Sequence, residues 1–133
     1  MSKQLWKAGN IFYPLPAVMV SCGSMEQANI ITIAWTGTLC TNPPIVYVSI
    51  RPTRYSYKLI KDSMEFVINL TTNNLVKETD FCGVKSGRDY DKFKVNKLTP
   101  IKGNFVSSPM IEESPVNIEC KVIEIKELGS HHM

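Results

Sequence analysis

The chain has 133 residues, a hydrophobic fraction of 44% and a formal net charge of +3. This length is enough for one domain with its own core, and the small charge without a dense basic run gives little support for nucleic acid as a partner. No apolar run is long enough to span a bilayer and the N-terminus lacks a signal-peptide core, so we expect a single cytoplasmic domain over residues 1–133 with no membrane partner.

Short runs rich in β-branched residues dominate the first half of the chain and predict strands over residues 17–22, 29–35 and 45–50. In the second run, Ile31, Ile33 and Trp35 share one face by the two-residue period. The opposite face becomes small and partly polar toward Ala34. Small side chains there, followed by Thr36, would let a flat ligand approach the backbone.

The stretch IRPTRYSYKL (residues 50–59) predicts a strand end, a turn and a helix over residues 53–62, with Thr53 as the N-cap. A helix start offers free backbone N–H groups and the positive end of the helix dipole. Hydroxyls and guanidinium groups gathered there predict a phosphate site. A capped helix with solvated charges explains the same spacing, and the spacing alone does not separate the two. The residues concerned are Ser49, Arg51, Thr53, Arg54 and Ser56.

The second half of the chain predicts a strand over residues 65–70 and a short helix from residues 72–74 through Phe81, ended by Gly83. Residues 85–96, KSGRDYDKFKVN, are polar, basic and aromatic, and too long for a tight turn. Long loops in compact domains are often functional. A solvated loop is the simpler interpretation, and Lys92 gains interest only if this segment folds over the predicted phosphate site.

The last strand is predicted to begin near Val116 and to change phase at Ile123, which is typical of a β-bulge or of a strand that passes between two sheets. Strands with two short helices between them indicate an antiparallel barrel with helical insertions. The terminal GSHHM is either native or a vector remnant. His131 and His132 lie nearest the chain end, where we expect disorder.

Several kinds of chemistry lack their motifs in this sequence. The four cysteines form no CxxC pair, so they do not indicate a zinc site or a redox dithiol, and we interpret them as buried or unreactive thiols. Cys82 is the exception to examine, since its segment FCGVKSG resembles a turn that faces a cleft. No Ser-His-Asp set, carboxylate pair or glycine-rich nucleotide loop supports hydrolase or NTPase activity.

The succession PLPAVMVSCG, NIITIAWTGT, NPPIVYVSIRPTRYSY, FVINL, FCGVKSGRDYDKF and IECKVIEIKELGSH resembles the flavin reductase-like FMN-binding family, most closely its flavoredoxin branch. The resemblance implies a mainly β fold, an antiparallel, Greek-key-like split barrel with short helical insertions. It also implies non-covalent FMN and a homodimer with the flavin near the interface. Family members continue past the GSH segment, so we expect this chain to be truncated at its C-terminus relative to the family, with barrel closure in question.

Carried over residue by residue, the resemblance places the flavin ring and ribityl chain along Asn29, Ala34, Trp35 and Thr36. It assigns the phosphate to Ser49, Arg51, Thr53, Arg54 and Ser56. Lys92, in the DKF segment, and His131, in the GSH segment, would close over the cofactor. No catalytic side chain is implied apart from His131 as an open candidate, and nothing is carried onto His132, where the family is often acidic.

The function that this resemblance implies is an FMN oxidoreductase that takes electrons from NAD(P)H or from a protein donor and passes them to a redox partner. One alternative is a flavin electron carrier without its own nicotinamide site. A third hypothesis is a small barrel without flavin that binds nucleic acid or a partner protein. It draws on the mild positive charge and on the aromatic residues of the segment 85–93.

Overall fold

A computed structural model describes all 133 residues, and its regular elements begin at Val18. The strands are β1 (Val18–Gly23), β2 (Ala28–Ile33), β3 (Thr36–Cys40), β4 (Ile45–Val48), β5 (Glu65–Asn69), β6 (Pro100–Ile101), β7 (Met110–Ile111) and β8 (Asn117–Lys121). The helices are α1 (Tyr55–Ser63), α2 (Val76–Val84) and α3 (Lys92–Val95), and a 3-10 turn (Asn73–Leu75) precedes α2. None of the helices is long and apolar enough to cross a membrane.

The strands form one antiparallel sheet in the order β2-β1-β5-β8 and two ribbons, β3-β4 and β6-β7. The predicted mainly β, antiparallel architecture with helical insertions is therefore confirmed. Strand β2 lies at an edge of the sheet. It pairs with β1 and with no other strand.

Alternating side chains of the sheet supply two hydrophobic cores, one on each face, as the two-residue period of a strand requires. Val18 and Val20 of β1 point into the first core, which also holds Val48 of β4 and Ile60 of α1. Met19 and Ile30 point into the second, with residues of α2, α3 and β7. Helix α1 therefore covers one face of the sheet, while α2 and α3 cover the other.

Two predictions near β2 need correction. The second strand ends at Ile33 rather than at Trp35, and a strand that the sequence did not predict, β3, follows it. Strand β3 exists because β4 pairs with it, and its own residues, TGTLC, carry little strand preference. The third predicted strand ends at Val48, since Ile50 pairs instead with His132.

The predicted helix boundaries were also partly wrong. Helix α1 begins at Tyr55 with Arg54 as its N-cap residue, so Thr53 is not the cap. Thr53 lies in a turn closed by the Arg54 N–H, which donates to Arg51 O at 3.0 Å. Helix α2 continues through Gly83 to Val84, and Gly83 lies close against Thr32 of β2.

The segment 85–96 and the end of the chain are more ordered than the sequence predicted. The segment contains α3, whose N-terminus is capped by the Asp91 carboxylate, an acceptor for the Lys94 N–H at 3.2 Å. The final strand stops at Lys121 without the predicted change of phase, and Val122 N–H donates instead to Met64 O. At the chain end, His132 exchanges two backbone hydrogen bonds with Ile50.

Candidate functional site

The edge strand β2 and the first turn of α1 meet through two buried polar side chains. Asn29 Nδ2 donates to Ser56 Oγ at 2.7 Å, and the two residues are 3% and 1% exposed. No side chain caps α1, and the backbone N–H groups of Tyr55 and Ser56 donate no hydrogen bond within the chain. These N–H groups therefore remain available to an anionic ligand.

A cavity of about 180 Å³ opens at this helix start, between β2, α1 and the end of α2. Four cationic residues and no carboxylate line it, together with the buried Ser56 hydroxyl. We call it the cationic cavity. Its charge and its free N–H groups match a phosphate or another small anion. The four cations are Arg54, Lys85, Arg88 and Lys92.

Lys92 forms part of the wall of the cationic cavity from the start of α3 and is 3% exposed. Its Nζ donates to Ile30 O at 2.7 Å and to Cys82 O at 2.8 Å. These bonds join β2 to the end of α2. Burial lowers the pKa of Lys92, and the nearby cysteines partly oppose that shift.

Residues 85–88, which we call the strap, lie over the start of α1. Arg88 Nη2 donates to Thr53 O at 3.1 Å, and its guanidinium stands 6.0 Å from the centre of the Tyr55 ring. A Cβ at Gly87 would lie 2.3 Å from Asn29 Oδ1, so the strap approaches β2 as closely as glycine permits. The segment that contains Lys92 therefore folds over the predicted phosphate site.

The second group of predicted residues lies beyond the other end of β2. The rings of Trp35 and His131 are 4.6 Å apart, centre to centre. Ser49 N–H donates to Trp35 O at 2.9 Å. Burial, and then the positive charges of Arg51 and Arg54, lower the pKa of His131, which keeps its imidazole neutral to lower pH. The C-terminal segment thus lies beside the arginines of the α1 turn.

The predicted site residues consequently fall into two adjoining groups. Those that line the cationic cavity are Asn29, Thr53, Arg54, Ser56 and Lys92. Those around the end of β2 are Ala34, Trp35, Thr36, Ser49, Arg51 and His131. Other residues that line the cavity were missed as site residues: Tyr55, Lys85, Ser86 and Arg88. Gly87, the glycine in KSGRD, was the one feature of the sequence that indicated a close approach of that loop to another element.

Cys82 lines the cationic cavity as well, so its segment does face a cleft. Burial raises its pKa to about 11, which keeps the thiol neutral and unreactive at physiological pH. No group of three or more His, Cys, Asp or Glu side chains is placed to hold a metal ion. The cavity therefore offers charge and hydrogen bonds rather than a nucleophile.

A larger cavity of about 510 Å³ adjoins the cationic cavity and shares Thr32, Gly83 and Val84 with it. Four threonines line this threonine cavity, and its only charged residue is Asp80. Thr32 Oγ1 and Thr79 Oγ1 already donate to backbone carbonyls. Because it holds no cation, the threonine cavity does not suit a phosphate.

Residues 10–133 match the family described as "Flavin reductase like domain". An uncharacterized protein of Archaeoglobus fulgidus is 34% identical over 119 residues, which cover 90% of this chain and 67% of that protein. The fold of this chain is similar to two solved structures, the flavoredoxins of Desulfovibrio vulgaris (Miyazaki F) and of Methanosarcina acetivorans. Their identities are 32% and 28%, and their TM-scores 0.89 and 0.88. Each alignment covers 98% of this chain, and 71% and 70% of the two structures.

Proposed function

Because the chain belongs to the flavin reductase-like family, we propose that it is a flavoredoxin-like oxidoreductase that binds FMN and moves electrons through it. The observation that carries the proposal is the cationic cavity at the uncapped start of α1. Its electrons would come from NAD(P)H or from a protein donor, and a redox partner would receive them.

The donor set of the cationic cavity fits the phosphate of FMN. Arg54, Lys85 and Arg88 supply positive charge around the phosphate, and Lys92 supplies a further positive charge from the start of α3. The free N–H groups of Tyr55 and Ser56 add hydrogen bonds of the kind that helix starts offer to phosphates. Arg51, Thr53 and Ser49 extend the same polar surface toward Trp35. These residues would provide mainly affinity.

The flavin ring would lie toward Trp35, Thr36 and His131. The six residues of β2 rise by about 3.3 Å each, so the two ends of the strand are roughly 17 Å apart. That span suits a ring at one end and a phosphate at the other. Bound FMN would accept a hydride at N5 and release electrons singly or in pairs. The protein would orient the ring through Trp35 and Thr36, and His131 would cover it.

We also propose that two copies associate, with the site near their interface. The segment before β1 leaves large apolar side chains exposed, among them Trp6, Phe12 and Tyr13. Large contiguous apolar patches mark contacts with other molecules, and these side chains would supply apolar surface to such a contact. The elution volume of the purified protein tests the association directly, and a monomer at micromolar concentration would reject it.

The alternative function is a flavin electron carrier without a nicotinamide site. Its support is that the two solved structures at 32% and 28% identity are flavoredoxins. Anaerobic mixing of the FMN-loaded protein with NADH and with NADPH separates the two functions. Bleaching of the yellow absorbance by either nucleotide supports the reductase, whereas an unchanged spectrum supports the carrier. Protein that stays colourless and does not quench FMN fluorescence would contradict both and favour a barrel that binds another partner.

A further inference from the structure

We infer that the strap, residues 85–88, makes the site bind FMN more tightly than FAD. FMN ends in a phosphomonoester, whereas in FAD an adenylate extends that phosphate. This inference rests on the proposed function and adds a specificity determinant to it. The selectivity for FMN would depend on Gly87 and Arg88. Neither touches the region around Trp35 where the ring would lie.

The strap lies at the far end of the proposed cofactor path. Gly87 contacts Asn29 in the first half of β2, while Trp35 follows the other end of that strand. The cationic cavity therefore lies between the ring end and the strap. An adenylate that extends from the phosphate on the side of Lys85 and Arg88, which line the cavity, would meet the space that the strap occupies.

Close contacts hold the strap in this position. A Cβ on Gly87 would come within 2.3 Å of Asn29 Oδ1 and 2.5 Å of the Tyr55 ring. Arg88 bonds to Thr53 O on one side, and its own N–H donates to Ser86 Oγ at 3.2 Å. The N–H groups of the two residues after Arg88 donate to Ser86 O. The strap is thus a hydrogen-bonded turn seated against β2 and α1.

The threonine cavity does not offer an adenylate a second route. It adjoins the cationic cavity along Gly83 and Val84, but its one charged residue is Asp80. A second phosphate would meet a carboxylate there and no cation. By contrast, the four cations of the cationic cavity match the charge of about −1.5 to −2 that a phosphomonoester carries at pH 7.

Equilibrium titrations of the full chain with FMN, FAD and riboflavin, followed by flavin fluorescence, test the inference. We expect the wild type to bind FMN at least about tenfold more tightly than FAD. Gly87→Ala should displace the strap, because the added Cβ has no room beside Asn29, and should lower the ratio of FMN affinity to FAD affinity severalfold. Arg88→Gln removes the guanidinium contacts to α1 and should lower the same ratio of affinities.

Asp89→Ala is the matched control, since this exposed side chain of the same loop forms no hydrogen bond or ion pair. It should leave the FMN to FAD ratio unchanged. A wild type that binds FMN and FAD equally would overturn the inference while the proposed function stands. A wild type that binds no flavin would overturn the proposed function itself. If Gly87→Ala does not fold, judged by its circular dichroism, an Arg88→Gln ratio equal to that of the wild type overturns the inference.

Discussion

The side-chain amide of Asn29 donates a 2.7 Å hydrogen bond to the hydroxyl of Ser56, and this single contact joins the edge strand β2 to the first turn of α1. Both side chains are almost fully buried. The bond therefore fixes the start of α1, with its free N–H groups, relative to the strand along which the flavin would lie. The stability of the fold and the geometry of the phosphate site depend on the same contact.

Replacing either partner should destabilise the protein, because each substitution leaves a buried polar group unpaired. We expect Asn29→Ala and Ser56→Ala each to lower the free energy of unfolding by about 1–3 kcal/mol. The double variant should lose about 1 kcal/mol less than the sum of the two single losses. Urea unfolding measures all three. Thr38→Ala, at an exposed position without a side-chain hydrogen bond, is the control, and strictly additive losses would contradict the coupling.

Arg51 lies in the turn that leads from the Trp35 end of the site to the start of α1, and it should contribute to phosphate binding rather than to ring binding. We expect Arg51→Ala to weaken FMN by about tenfold, roughly 1.4 kcal/mol, and to leave riboflavin almost unaffected, because riboflavin lacks the phosphate. Fluorescence titrations with both ligands measure the two effects. Lys58→Ala removes a charge from the exposed side of α1, where Lys58 pairs with Asp62, and should change neither affinity. Equal losses for FMN and riboflavin in Arg51→Ala would show that Arg51 does not contact the phosphate.

The emission of Trp35 should report the titration of His131, since the two rings are 4.6 Å apart. Burial and the charges of Arg51 and Arg54 lower the pKa of His131 from 6.5, so the midpoint should fall below that value. Removing one charge in Arg51→Ala should move the midpoint upward. The measurement is a fluorescence pH titration in a Trp6→Phe background, which leaves one tryptophan. His131→Asn should abolish the transition, and a midpoint that Arg51→Ala leaves in place would contradict the assignment.

Buried Asn69 should be among the most sensitive positions for stability. Its Nδ2 donates to Met19 O and to Ser21 Oγ at 2.9 Å each, while its Oδ1 accepts from Ile111 N–H at 3.1 Å. We expect Asn69→Ala to lower the free energy of unfolding by about 3 kcal/mol, and Asn69→Leu not to restore it, because the partners stay unsatisfied. Exposed Asn74→Ala is the control in the same urea experiment. If Asn69→Leu had the wild-type free energy of unfolding, packing rather than hydrogen bonding would determine stability at this position.

Two partly exposed carboxylates, Glu65 and Glu119, should make the fold less stable in acid. Hydrogen bonds from the Ser107 side chain and backbone lower the pKa of Glu65. Slight burial opposes the charged form of Glu119, but three backbone N–H groups from residues 104–106 outweigh it and lower its pKa as well. Each folded-state pKa lies below the ordinary value of 4.5, so the contribution is present above that pH and is lost as the pH falls through the folded-state pKa.

Urea unfolding at pH 6 and pH 3 checks this dependence. Glu119→Gln should be less stable than the wild type at pH 6, and the difference should shrink toward pH 3 as the wild-type carboxyl group becomes protonated. Glu124→Gln is the control at an exposed position without hydrogen bonds, and it should have the same free energy of unfolding as the wild type at both pH values. A constant difference between Glu119→Gln and the wild type would assign the effect to the loop geometry rather than to the charge.

The sequence by itself determined most strands, helix α1 and the grouping of basic and hydroxyl residues before and at the start of α1, because these features are local. Apolar alternation in β1 and β5 follows from which side chains face a core, and Arg51, Arg54 and Ser56 lie within one short stretch. Strand β3 was not predictable from its own residues, since it depends on pairing with β4. Helix α2 passes through Gly83, which packs against Thr32, a residue far away in the chain.

Only the tertiary structure decided that the segment around Arg88 lines the cationic cavity. Arg88 and Thr53 are 35 residues apart, and Lys92 and Ile30 are 62 apart, so no local pattern encodes these contacts. The same holds for His132, which pairs with Ile50 instead of fraying. Local periodicity reflects which side of an element is buried. The closure of the cationic cavity depends instead on where the second half of the chain packs, through contacts that form only when the two cores assemble.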